Sequence, residues 1–162
     1  MSLSSTHATR VQGDSGSTGG ALLVVNPVAR SVSPGLCAEV TQELERCCGD
    51  TLVHCPAARE EAAGAIERAA AAALEDDRPL DVVCVGGDGT VREVAEAMAR
   101  GLGSWPDGHA RPAARLSVVP AGSGNSAYRA LWGPAEWTPS LLSSSIVGPH
   151  RRVGSLDLLR IR

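Results

Sequence analysis

The chain has 162 residues, 43% of them apolar, and a formal net charge of −3. That length suits one compact domain with a real core, and the acidic balance offers no basic face, so nucleic acid is excluded as the expected partner. It contains Arg but no Lys, which leaves guanidinium groups and backbone amides to meet any phosphate.

Residues 1–20 are rich in Ser, Thr and Gly, lack periodicity and read as a disordered leader. They also lack the charged-then-apolar pattern of a signal peptide. Ala21–Asn26 is a short continuous apolar run, as in a strand buried on both faces, and Asn26-Pro27 ends it. Ser33 and Pro34 form a helix start, as N-cap and first helical residue, for a helix running to about Gly49. Thr51–Cys55 predicts a second strand, and the Ala-rich stretch from Arg59 to about Glu75 a second helix. Glu75, Asp76 and Asp77 read as a solvated helix end. Leu80–Val85 is a third strand. Thr90–Arg100 follows as a helix with Val91, Val94, Ala95 and Met98 on one face, and its Thr90-x-x-Glu93 spacing reads as a capping box. Gly101–Pro112 is a polar loop, Leu116–Pro120 a fourth strand, and Ser126–Leu131 a short helix. Leu141, Leu142 and Ile146 suggest another helical turn or two, and Arg151–Arg162 alternates as in a strand. Strands alternating with helices predict a parallel sheet covered by helices. With no Phe and a single Tyr, the core must come from Val, Leu, Ile and Ala.

The chemistry concentrates in turns after strands. Val85-Gly86-Gly87-Asp88-Gly89-Thr90 joins a buried strand to a helix through glycines that let backbone amides approach a phosphate. The helix behind it offers unpaired N–H groups and a positive dipole end. Asp88 sets a carboxylate among those amides, an arrangement suited to phosphoryl transfer, where a divalent cation bridges protein and phosphate oxygens. The bland alternative is a tight turn with Asp88 bonding backbone amides. Neither the P-loop lysine nor a GxGxxG fingerprint is present. Pro120-Ala121-Gly122-Ser123-Gly124-Asn125 repeats the logic, with Asn125 as the expected helix cap. Two such turns on one sheet edge would define one cleft.

Taken together, VVNPVAR, VGGDGTVREV and VPAGSGNSAYR, in that order, resemble the diacylglycerol kinase catalytic domain family, which includes sphingosine kinases and bacterial lipid kinases. VGSLDLLRI resembles the family's strand leading into its second domain. The likeness runs from about residue 21 to 162. It implies a three-layer α/β parallel-sheet domain of the NAD kinase and diacylglycerol kinase type. Residues 21–150 would form an ATP-binding kinase domain, with 151–162 beginning the family's C-terminal β-rich domain, the rest of which is lacking. It further implies that Gly86, Gly87, Gly89 and Thr90 cradle the phosphates of ATP. Asp88 would be the catalytic acid residue, working on the acceptor hydroxyl or through Mg²⁺. Gly122, Ser123, Gly124 and Asn125 would complete the nucleotide site, with Asn26 beside it. Asp157 would face a lipid headgroup, against the simpler reading of a strand-end residue. The chain departs from the family pattern at Arg92, where Asn is usual, at Val28-Ala29-Arg30, where Ser-Gly often follows NP, at Cys55 in place of Thr, and at Ser126 in place of Asp.

The implied activity is ATP-dependent phosphorylation of a lipid hydroxyl of diacylglycerol or sphingosine type. The rivals are an NAD kinase-like small-molecule kinase and a non-catalytic nucleotide-binding fragment. The odd count of five Cys, without CxxC spacing, points to reduced thiols and the cytoplasm, with lipid contact at a membrane surface. Cys47, Cys48, His54 and Cys55 fit no zinc pattern. His54, His109 and His150 read as surface residues. Trp132 and Trp137 either pack a loop over the sheet or rest on a membrane. A missing second domain would leave an apolar face open to self-association as a homo-oligomer.

Overall fold

A computed structural model of the chain describes residues 20–48, 52–54, 59–103 and 114–146. The elements follow in order β1 (Ala21–Val25), α1 (Pro34–Cys48), β2 (Leu52–His54), α2 (Arg59–Glu75), β3 (Leu80–Gly86), α3 (Asp88–Leu102), β4 (Ala114–Pro120), α4 (Ser126–Trp132) and α5 (Pro139–Ile146). The expected leader, the loop beyond Gly103, Cys55, His109, His150, Asp157 and the strand-like pattern at 151–162 lie outside the described residues.

The strands form one parallel sheet in the order β2-β1-β3-β4. Leu22 pairs with Val82 across β1 and β3, and Val85 with Val119 across β3 and β4. Because side chains alternate along a strand, each run of apolar residues feeds two cores. Leu22, Val24, Val82 and Cys84 meet Ile66 of α2 and Val91 and Val94 of α3. Leu23, Val83, Val85 and Val119 meet Val40 and Leu44 of α1 and Leu142 of α5. The result is the expected three-layer α/β architecture, and it explains why the strands read as continuous apolar runs. Trp132 and Trp137, both partly buried, pack against these clusters.

Local rules hold at α1, where the Ser33 hydroxyl accepts the Leu36 amide at 3.1 Å. They fail at α3. That helix begins at Asp88, with Gly87 as N-cap and no side-chain cap. Thr90 therefore sits inside the first turn and forms no capping box. The α3 helix also runs on past Arg100 through Gly101, where a Cβ would collide with the Glu67 carbonyl of α2. The glycine is there to let the two helices touch.

One buried polar contact spans the sheet. Asp81 and Arg115 are register partners on β3 and β4, and the guanidinium donates to both carboxylate oxygens at 2.6 Å. Buried carboxylates need such a partner.

Candidate functional site

The strand order places the switch of direction between β1 and β3, since β2 lies on one side of β1 and β3 on the other. In open parallel sheets, ligands bind beyond the carboxyl ends of the strands at that point. Asn26 follows β1 there and Gly87 follows β3. The Asn26 side-chain amide donates to the Thr90 hydroxyl at 2.8 Å, joining the two turns across the switch. Its carbonyl oxygen accepts the Val28 amide at 3.1 Å, which shapes the Asn-Pro turn.

The turn after β4 leans onto the same place. The Ala121 amide donates to the Gly86 carbonyl at 2.9 Å, and the Ser31 amide to the Ala121 carbonyl at 2.9 Å. Gly87 and Gly122 approach backbone to backbone. A Cβ on Gly122 would lie 2.5 Å from the Gly87 Cα, so no larger residue fits without parting the turns.

A cleft of about 860 Å³ opens between these turns, within the usual range for small-molecule sites. Asn26, Gly87, Asp88, Gly89, Thr90, Gly122, Ser123 and Gly124 all line it. Gly86 and Asn125 stand behind the lining. Gly86 is the buried end of β3. Asn125 has a left-handed backbone (φ 52°, ψ 40°) and makes no side-chain cap for α4. Instead its side chain closes on Gly122, accepting that residue's amide at 2.8 Å and donating to its carbonyl at 2.9 Å. The expected Asn cap is thus a brace for the turn.

The capping of α4 falls to Asp88, whose Oδ1 accepts the Ala127 amide at 2.8 Å. That bond, with others from the Ser126 amide and hydroxyl and the nearby Arg129 charge, holds the Asp88 carboxyl below the usual carboxylate range. The turn reading of Asp88 anticipated a backbone amide as partner, but the amide comes from the first turn of α4.

Spacing in the sequence did not reveal the rest of the cleft. Helix α2 forms a wall with Arg59, Ala62, Ala63 and Ile66, and α3 adds Glu93, Glu96 and Arg100. Arg59 is ion-paired with Glu93, and Arg100 with Glu67 at 2.6 Å. Arg30 lines the cleft and makes no ion pair among the described residues. Helical periodicity could have placed Arg59 and Ile66 on one side of α2, but not over this sheet edge. Arg92 is exposed and stands apart from the lining, as does His54.

Among the described residues no group of three or more His, Cys, Asp or Glu side chains is arranged to hold a metal. A lone carboxylate beside glycine amides does suit Mg²⁺, which keeps several waters and binds through one or two carboxylates plus phosphate oxygens. No helix of the described residues is long and apolar enough to cross a membrane.

One family model matches most of the chain. Residues 20–156 match the model described as the diacylglycerol kinase catalytic domain. A crystal structure described as "a putative diacylglycerol kinase from Bacillus anthracis str. Sterne" is similar, at 24% identity and a TM-score of 0.45 over 73% of this chain. The chain spans 38% of the length of that structure. No curated protein matches the chain.

Proposed function

This chain belongs to the diacylglycerol kinase catalytic domain family, and on that footing we propose that it binds Mg·ATP in the cleft and phosphorylates a lipid hydroxyl of diacylglycerol or sphingosine type. One observation carries the reading. Three turns from three neighbouring strands meet at the switch point and enclose a cleft where glycine amides stand beside the Asp88 carboxylate, with Arg30, which makes no ion pair among the described residues, on its lining.

Gly87, Gly89 and Thr90 on one side, and Ser123 and Gly124 on the other, hold the phosphates through backbone amides and hydroxyls, while Gly122, its amide taken by Asn125, gives the close approach of the two turns. Gly86 and Asn125 support those turns from behind. Asn26 fixes the first turn through Thr90. Arg30 supplies the cation that a Lys would provide elsewhere. When bound, Mg²⁺ would supply positive charge that neutralises the phosphates. Asp88 acts on the acceptor hydroxyl and would be the carboxylate that holds the metal. Its depressed pKa keeps it ionised at neutral pH, which suits a charge partner better than a strong base. The lipid arrives from a membrane surface, and Val28, 87% exposed at the lip of the cleft, is placed to touch it.

The test is calorimetric titration of Mg·ATP, followed by phosphoryl transfer to diacylglycerol or sphingosine in vesicles, with NAD as a separate acceptor. Binding with transfer to a lipid is the expected result. Transfer to NAD would make it a small-molecule kinase, and binding without transfer would leave nucleotide binding as its activity. A folded chain that ignores Mg·ATP would end the proposal.

A further inference from the structure

We infer that Asp88 has a second role, as the positioning residue that holds the turn after β4 in register with the turn after β3. This rests on the reading of the cleft as a nucleotide site and deepens it.

The need for such a residue comes from α4. The first amides of a helix have no partners within it. A side chain at the N-cap normally accepts one, but the residue there, Asn125, has turned back to bond Gly122 through both ends of its amide. The Ala127 amide is therefore left for a group from elsewhere. Asp88 provides it from 39 positions away. Asp88 is also the first residue of α3, so one carboxylate faces the first turns of two helices, where negative charge is favoured.

The bond acts where the two turns already touch. A Cβ on Gly124 would lie 3.2 Å from the Asp88 Oδ2, and one on Gly87 would lie 3.0 Å from the Gly122 Cα. A shift of the second turn would therefore move it relative to both the Gly87 backbone and the Asp88 carboxylate. The amides of Ser123 and Gly124 thus take their position over the cleft from a residue of the opposite turn. The depressed carboxyl pKa is consistent with a carboxylate that gives up amide hydrogen bonds when protonated.

Two neutral variants of the full chain separate this role from the charge. Asp88→Asn keeps an oxygen able to accept the Ala127 amide; Asp88→Ala keeps none. Hydrogen exchange at Ala127 and titration with Mg²⁺-free ATP are measured on both. Asp88→Asn should retain amide protection, whereas Asp88→Ala should lose it and bind ATP about tenfold more weakly than the Asn variant, as for one lost hydrogen bond to a bound group. Equal exchange and equal affinity in the two variants would overturn the inference, as would an unprotected Ala127 amide in the wild-type chain. If Asp88→Ala does not fold, Ala127→Pro removes the donor and leaves the carboxylate intact. It should bind ATP about tenfold more weakly than wild type, and unchanged affinity would overturn the inference. If no form binds ATP, the nucleotide reading fails, while exchange at Ala127 still decides whether Asp88 caps α4.

Discussion

Strand β3 buries all seven of its residues, whereas β4, at the sheet edge, buries only Val118 and Val119 of its seven. The contrast continues into the turns. The turn after β3 leads into α3, a 15-residue helix with five buried residues. The turn after β4 leads into α4, seven residues long with Tyr128 buried. Both turns carry glycines between strand and helix, and the first, anchored by buried flanks, is tied across the switch point by Asn26 on Thr90. The second is fixed by contacts reaching in from Gly86, Ser31 and Asp88. A glycine-rich turn supplies freedom to approach a phosphate, and the neighbouring structure must then take that freedom away.

The largest test of this contrast is at the far end of β4. Arg115→Ala would leave the Asp81 carboxylate buried without its cation, and burial alone then pushes that carboxyl up toward its protonated form. Breaking a buried pair costs about 3–5 kcal/mol, so the melting temperature should fall by roughly 10 °C. ATP affinity of the folded variant should stay within about twofold, since the pair lies at the end of the sheet away from the cleft. A collapse of affinity would mean that the sheet edge, not the opposite turn, positions the second turn. Next in size is Gly122→Ala. Its methyl meets the Gly87 backbone, and overpacking of that kind costs about 1–3 kcal/mol. Here stability and ATP affinity should fall together, and a variant of normal stability and affinity would show that the turns are not in fixed contact.

Gly89→Ala sharpens the comparison from the other side. A Cβ at Gly89 meets nothing within 4 Å, and the position lies in the first turn of α3. Replacing this glycine should stabilise the fold by about 0.5 kcal/mol. Because Gly89 lines the cleft, where an added methyl would keep a phosphate off its amide, Mg·ATP affinity should nevertheless drop about tenfold, as for one lost hydrogen bond to phosphate. Thermal melts and calorimetry on one sample would show the two effects diverging. A variant with unchanged affinity would move the phosphates away from this turn.

The sequence made these turns legible because strands buried on both faces read as unbroken apolar runs, and glycines mark where such runs end. The order of elements and the parallel sheet follow from that alternation. Partners distant along the chain were not legible. Thr90-x-x-Glu93 has the spacing of a capping box, but Thr90 bonds Asn26 and Glu93 pairs with Arg59. Asn125 has the identity of a cap, but its left-handed backbone turns the side chain onto Gly122. In each case a local rule named a plausible bond and another contact displaced it, from across the cleft for Thr90 and Glu93 and from within the turn for Asn125. The α2 wall of the cleft escaped for the same reason, since helical periodicity gives a face and not the neighbour it meets.

The smallest expected effect is a titration. Asp88 is held below the usual carboxylate range chiefly by the Ala127 amide and then by Ser126. A carboxyl whose folded pKa is depressed contributes its stabilisation fully above the unfolded value of about 3.9. That contribution fades as pH falls through the lower folded value. The tether should therefore be intact at neutral pH and loosen only in acid. The Ala127 amide chemical shift should titrate with a midpoint below about 3.9, and Asp88→Asn should abolish that titration. A midpoint at or above the ordinary value would mean that the carboxylate is not bonded to the amide in solution. The second turn would then owe its position to Ala121 and Gly122 alone.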